Sequence, residues 1–381
     1  MQGSPSAKDK PLRIVAVHGG AGFHPRSQSS DGEIKRALRL ACARSLAALE
    51  REAALHAVTE AIAVLEDEEC LNAGYGSNLT MSGIVECDAS LMDGLTRDFG
   101  AIGAVSGVKN PIKLAHSVLQ YSRTPDLLGR IPPLLLVSAG AQEFARTRGL
   151  ACIPDSMISP RAHREWKRWT DALETARHAH PMDTMLETSS AVGLQHPQTY
   201  GLHDRQDTVG AIALDAEGNL AAGVSSGGLL LKLPGRVGEA AIYGAGCWAT
   251  HRVSCSVSGA GEDITRASLA KTICSSVEAA GEDGDIHDVL QTVIGQQFHK
   301  VCAERGETSP QAGVILLVKE YDDDGQLRPR LWCAFTTESM AIGYASSVSS
   351  KPSATILRRP ARASGETPSV YIAALPVPLD R

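Results

Sequence analysis

The sequence predicts an α+β chain built of tightly stacked sheet and helix layers. Short apolar runs with strand character recur along it, at 12–17, 84–92, 99–106, 209–214, 220–225, 313–319 and 330–336. Stretches with helical periodicity alternate with them, near 32–50, 55–68, 262–280 and 286–300. Only 4% of the residues are aromatic while 36 of 381 are glycine, and small side chains let layers approach closely.

The elements follow in order. Residues 12–17 read as a buried strand ending at His18-Gly19-Gly20-Ala21-Gly22. In 32–50, Ile34, Leu38, Ala41, Cys42, Ala48 and Leu49 fall near one helical face. After the second helix comes a glycine-rich loop, Leu71-Asn72-Ala73-Gly74-Tyr75-Gly76-Ser77-Asn78, and Asn110-Pro111 opens a further helix. Residues 151–206 are polar and lack steady periodicity. They read as an insert, partly helical and then flexible, within one domain covering 1–381. Regular structure resumes at Thr208. No internal repeat is present.

Composition narrows the function. A net charge of -6 gives no signal for nucleic acid or an anionic membrane. No apolar stretch approaches membrane-spanning length, and the polar residues 1–10 do not form a signal peptide. Nine cysteines are scattered without a CxxC, which favours reduced intracellular thiols over disulfides or zinc. No His or Cys cluster has metal spacing, so no metal and no cofactor is expected.

The most informative residue is Thr208, in Gln206-Asp207-Thr208-Val209-Gly210-Ala211. A chain cut before it would expose a hydroxyl nucleophile and an α-amine base on one residue. The flanking strands are joined by the turn Asp215-Ala216-Glu217-Gly218-Asn219, and Thr208 and Ser226 lie symmetrically about Glu217. An unbulged hairpin sets their Cβ atoms about 5 Å apart on one face. An ordinary cross-strand Thr–Ser pair would look the same. Other motifs are ambiguous. Gly223-Val224-Ser225-Ser226-Gly227 matches a hydrolase elbow but does not lead into a helix. Gly244-Ala245-Gly246 resembles a dinucleotide loop without its βαβ unit. Gly259-Ala260-Gly261-Glu262 reads as a helix start. Arg236 is either a surface arginine or a carboxylate clamp, and His18 reads as structural.

Taken together, these segments resemble the N-terminal-nucleophile asparaginase family. The resemblance rests on the His18-Gly19-Gly20-Ala21-Gly22 run, Asn72-Ala73-Gly74-Tyr75-Gly76, Cys87-Asp88-Ala89-Ser90-Leu91-Met92-Asp93-Gly94, the Asp207-Thr208 segment, Pro234-Gly235-Arg236-Val237-Gly238 and Ser258-Gly259-Ala260-Gly261-Glu262. Within the family the likeness is greatest to its aspartate-specific threonine endopeptidase branch. That likeness rests on Val224-Ser225-Ser226-Gly227-Gly228, Gly244-Ala245-Gly246-Cys247-Trp248, the long insert and Thr336-Thr337-Glu338-Ser339-Met340.

The resemblance implies a four-layer αββα sandwich of the N-terminal-nucleophile hydrolase type. It implies self-cleavage between Asp207 and Thr208 into associated pieces, 1–207 and 208–381, with Thr208 as nucleophile. Ser226 would support its hydroxyl, Asn72 would order the site, and Ser258 with the Gly259 amide would form an oxyanion hole. Arg236, Glu239 and Gly261 would bind substrate. Small-molecule members carry Thr at the position of Ser226 and Asp at that of Glu239, where the acid engages a free α-amine. The longer Glu239 therefore favours cleavage after an internal Asp of a protein chain. The branch implies nuclear transcriptional regulators as substrates, trithorax-type proteins and a general transcription factor precursor among them, in nucleus and cytoplasm. It also implies a homodimer of processed protomers. An isoaspartyl peptidase or L-asparaginase, and a non-catalytic binding scaffold, are the alternatives. Some members bind sodium before the Asn-Ala-Gly motif; no cation is claimed at the acidic stretch 65–71. The basic cluster Arg161, Arg164, Lys167 and Arg168 reads as a solvated helix face, with a nuclear-import segment as the alternative.

Overall fold

The computed structural model describes residues 11–24, 27–179, 208–348, 351–360 and 370–379. Its strands are β1 (Ile14–Gly22), β2 (Cys87–Asp93), β3 (Phe99–Val105), β4 (Leu135–Val137), β5 (Val209–Leu214), β6 (Leu220–Ser226), β7 (Cys247–Ala249), β8 (Val253–Gly259), β9 (Ala312–Val318), β10 (Arg330–Phe335), β11 (Ser339–Ser346), β12 (Ser353–Arg358) and β13 (Tyr371–Leu375). They form an eight-stranded sheet, ordered β12-β11-β1-β5-β6-β2-β3-β4, and a five-stranded sheet, ordered β13-β10-β9-β8-β7.

Side-chain alternation sets the layers, because successive strand residues face opposite sides. In β1, Ile14 and Ala16 enter one core while Val15 and Val17 enter the other; in β5, Ile212 and Leu214 separate likewise from Ala211 and Ala213. Helices α1 (Gln28–Ala48), α2 (Ala54–Glu66) and α3 (Pro111–Ser122) cover the outer face of the large sheet through Leu38, Val58, Ile62, Ile112 and Val118. α4 (Ser138–Thr147) and α5 (Pro160–Ala179) follow. Beyond the small sheet lie α6 (Gly261–Ala267), α7 (Leu269–Ala279), α8 (Ile286–Thr292) and α9 (His299–Ala303). Ile273, Val277 and Leu290 bind that layer to the core. The order helix, sheet, sheet, helix is the expected α+β sandwich.

Several boundaries differ from the sequence-based expectation. The helix expected over 262–280 breaks at Ser268, whose φ of 44° lies in the left-handed region. The one expected over 286–300 contains a π-helical turn, Val293–Phe298. The strand expected from 84 starts at Cys87. Strands β4, β7, β8 and β11–β13 carried no reading from sequence. The first part of the insert 151–206 is ordered, as a 3-10 turn at Pro154–Met157 and then helix α5; residues 180–206 lie outside the described residues, as does Asp207.

Candidate active site

Thr208 leads directly into β5 and faces Ser226, the last residue of β6. The ladder pairs Val209 with Ser225 and Leu214 with Leu220, so the hairpin is unbulged and its continuation sets 208 opposite 226. Thr208 Oγ1 lies 3.0 Å from Ser226 Oγ. Turn arithmetic alone had put these two side chains together.

Tertiary structure supplies the rest. Asn72, Thr208, Ser226, Arg236, Glu239, Gly259 and Gly261 line one small, narrow cleft. Glu239 Oε1 is 2.8 Å from Thr208 Oγ1. Arg236 is held from behind by Glu262, with Nε to Oε1 at 2.9 Å and Nη2 to Oε2 at 2.8 Å. Such two-pronged pairing fixes the guanidinium plane. Gly261 is required as empty space: a Cβ there would lie 2.4 Å from Glu239 Oε2 and 2.7 Å from Arg236 Nη2. Asn72 donates from Nδ2 to the Gly228 carbonyl at 2.9 Å and accepts at Oδ1 from Asn78 N at 2.8 Å. Ser258 does not line the cleft; its Oγ accepts from Thr208 N at 3.3 Å and Ala21 N at 3.1 Å.

Proton counting defines the state of the Thr208 hydroxyl. The Thr208 hydroxyl has one proton and two oxygen neighbours. With Glu239 ionised, Thr208 donates to the carboxylate and Ser226 donates to Thr208. Ser226 Oγ is meanwhile fixed by the Gly228 amide at 3.0 Å. Protonating Glu239 reverses the relay. Burial pushes the Glu239 carboxyl up, while Arg236 and the Thr208 hydroxyl draw it back down.

Asp88 is a positioning residue that sequence reasoning missed, although its segment had been singled out. Its carboxylate accepts from Gly238 N and Ala104 N, both at 2.8 Å, and so pins the Arg236–Glu239 loop to β3. The elbow-like Ser225 points away from the cleft and donates to buried Glu66 at 2.7 Å. Gly244-Ala245-Gly246 leads into short β7, with no dinucleotide unit. His18 is buried, and desolvation pushes it down to about 3. Ser256 donates to the Gly223 carbonyl, so His18 Nε2 carries the proton and donates to Ser256 at 2.8 Å. The histidine is therefore a buried brace, not a base.

Comparisons with known proteins identify the family. A family profile described as asparaginase matches residues 11–349. A plant-type L-asparaginase of Pyrobaculum calidifontis is 36% identical over 284 residues, covering 74% of this chain and 85% of the relative. An isoaspartyl peptidase/L-asparaginase of Xenopus laevis is 35% identical over 268 residues, 70% of this chain and 76% of the relative. An isoaspartyl peptidase of Escherichia coli is 36% identical over 273 residues, 70% and 78%. With that coverage and this site, the chain belongs to the asparaginase family of N-terminal-nucleophile hydrolases.

Proposed function

We propose that the protein is a self-processing threonine amidohydrolase that opens aspartyl amide bonds, in isoaspartyl peptides and in asparagine. The observation that carries this reading is the convergence of opposite charges on Thr208. Glu239 touches its hydroxyl, and Arg236 lines the same cleft. An acid and a guanidinium beside one nucleophile suit a substrate with an α-ammonium and an α-carboxylate.

Maturation comes first. Thr208 Oγ attacks the Asp207 carbonyl; the C–N bond breaks as the C–O bond forms, and water opens the resulting ester. The freed α-amine, with an ordinary pKa of about 7.7–8.0, has a usable neutral fraction near neutrality. It takes the hydroxyl proton as Thr208 attacks the substrate carbonyl. The leaving amine departs with a proton, and water releases aspartate from the acyl-enzyme. Ser226 holds the hydroxyl, Asn72 orders the cleft wall, and Ser258 orients the threonine nitrogen. The Gly259 amide, on the cleft wall, serves the oxyanion.

Two features favour a second reading, an endopeptidase that cuts after internal aspartate. Glu239 is a methylene longer than the aspartate expected of small-molecule members, and it already engages Thr208. Asp207 would itself be such a site. The nuclear protein substrates, the nuclear and cytoplasmic location and the homodimer of processed protomers belong to this reading. It ranks second because the relatives are named for isoaspartyl and asparagine hydrolysis, reversing the order expected from sequence. A non-catalytic scaffold gives no reason for two side chains to converge on one hydroxyl with an arginine in the same cleft.

Gel electrophoresis with N-terminal sequencing and three substrates tests both readings. The 40.2 kDa chain gives pieces of roughly 22 and 18 kDa, by its division into 207 and 174 residues, the smaller starting Thr-Val-Gly. Thr208→Ala stays whole. Turnover of asparagine and a β-aspartyl dipeptide supports the first reading, and turnover of an internal-Asp peptide alone supports the second. An uncut chain that turns over none of them sinks both.

A further inference from the structure

Arg161 opens α5, and its side chain leaves the helix to enter the loop that carries Asn72. Its Nε donates to the Glu69 carbonyl at 2.7 Å and its Nη2 to the Gly76 carbonyl at 2.5 Å. The contact is reciprocal, because the Glu69 carboxylate accepts from the Arg161 backbone N at 2.7 Å and so caps α5. Trp166, farther along α5, donates from Nε1 to the Thr80 carbonyl at 2.9 Å, and its ring lies against Gly83. The first turns of the insert helix are thus docked on the segment 69–83.

The loop needs such a partner. It folds so tightly that a Cβ on Gly76 would lie 1.9 Å from the Leu71 carbonyl oxygen, 2.7 Å from that of Glu68 and 2.8 Å from that of Glu69. Carbonyl oxygens gathered at one place repel, and each needs a donor once removed from water. A guanidinium offers a cation and a fork of donors together. Its two carbonyl contacts bracket Asn72 in the chain. Asn72 in turn fixes the cleft wall: besides its side-chain bonds, its carbonyl accepts from Gly227 N at 2.9 Å, next to Ser226.

We propose that Arg161 is a positioning residue for hydrolysis, stapling the Glu69 and Gly76 carbonyls so that Asn72 and the Gly227–Gly228 wall stay registered against Thr208. The inference rests on the amide-hydrolase reading above. It also gives the insert a role: the segment that ends at Thr208 begins by bracing the cleft that Thr208 occupies.

The test uses the full-length chain and three variants. Arg161→Ala should lower kcat about ten- to a hundredfold through small misplacement of the site, with little change in KM. Millimolar guanidinium chloride should restore part of that loss, and equal concentrations of urea or choline chloride should not. Arg161→Lys, which keeps the charge and one donor direction, should fall between. Arg164→Ala removes the same charge from an exposed position of the same helix and should match the unsubstituted protein. Hydrogen exchange gives a readout independent of turnover: the amides of Asn78 and Gly227, both bonded to Asn72, should exchange faster in Arg161→Ala. A folded Arg161→Ala protein with unchanged kcat and unchanged exchange at those amides overturns the proposal. Should Arg161→Ala not fold, unchanged kcat and exchange in Arg161→Lys overturns it equally. If the unsubstituted protein turns over no substrate, the amide-hydrolase reading fails, and the exchange measurement alone decides whether Arg161 holds Asn72.

Discussion

Ser258 Oγ lies 3.3 Å from the nitrogen of Thr208, whereas Ser226 and Glu239 contact its hydroxyl oxygen. The hydroxyl group and the nitrogen of Thr208 are therefore held by different partners. Ser258 also accepts from Ala21 N, which ties the nucleophile to the glycine-rich end of β1. In a mature enzyme the same contact would hold the free amine.

Ser258→Ala should therefore slow chemistry more than binding. We expect kcat to fall about ten- to a hundredfold, within the range for a mispositioned general base, while KM changes little. Initial rates on a β-aspartyl dipeptide measure it, and rates equal to the parent protein's would exclude the orienting role.

Glu239→Gln separates the two substrate readings. Where Glu239 receives a substrate ammonium, the neutral amide should cost asparagine and β-aspartyl dipeptides at least about tenfold in kcat/KM, the worth of roughly 1.4 kcal/mol. An internal-Asp peptide, which has no ammonium there, should lose less. Equal losses on both would mean that Glu239 acts only through Thr208.

Glu66 makes folding stability depend on pH. Burial pushes its carboxyl up to about 8 from an ordinary 4.5, although Ser225 and the Ile112 amide lower it. The folded value exceeds the unfolded one, so this group's contribution is complete below pH 4.5 and is lost as pH rises toward 8. Over that window its contribution falls by about 1.4 kcal/mol per pH unit. Glu66→Gln keeps an acceptor for Ser225 and Ile112 but does not titrate. Denaturant unfolding at several pH values should show the parent protein losing stability relative to the variant between pH 5 and 8. Parallel curves would contradict the assignment.

Gly210→Ala should damage the junction of the two sheets. A Cβ there would meet Ser256 Oγ at 2.0 Å, His18 Nε2 at 2.4 Å and the Gly223 carbonyl at 2.9 Å. Overpacking of this kind costs about 1–3 kcal/mol or more, and calorimetry should show a clearly lower Tm. Self-cleavage should slow as well, since Thr208 is two residues away. An unchanged Tm would show that the sheets can move apart locally.

What could be read from sequence follows the range of the interactions. Thr208 and Ser226 were legible because a hairpin is local and its turn fixes the register. The Ser258 bond to Ala21 spans 237 residues, and no spacing encodes it. Glu239 could be nominated only by resemblance, and Arg236 from its residues only as one of two readings, since their loop reaches the cleft through Asp88, 150 residues from Gly238. Arg161 looked like part of a solvated basic face because its acceptors are backbone carbonyls 85 and 92 residues away, and carbonyls leave no mark in a sequence. The break at Ser268 was hidden for a related reason: serine does not announce a left-handed backbone as glycine does.

The strand order of the large sheet has a consequence for recovery from heat. Strands before and after the Asp207–Thr208 bond are interleaved, joined across the ladders β11–β1, β1–β5 and β6–β2. A chain opened at that bond stays assembled as long as it stays folded, because neither piece can leave without tearing three ladders. Once melted, it is two molecules. Its refolding becomes second order in protein, so dilute cut enzyme should fail to recover on cooling where uncut Thr208→Ala returns.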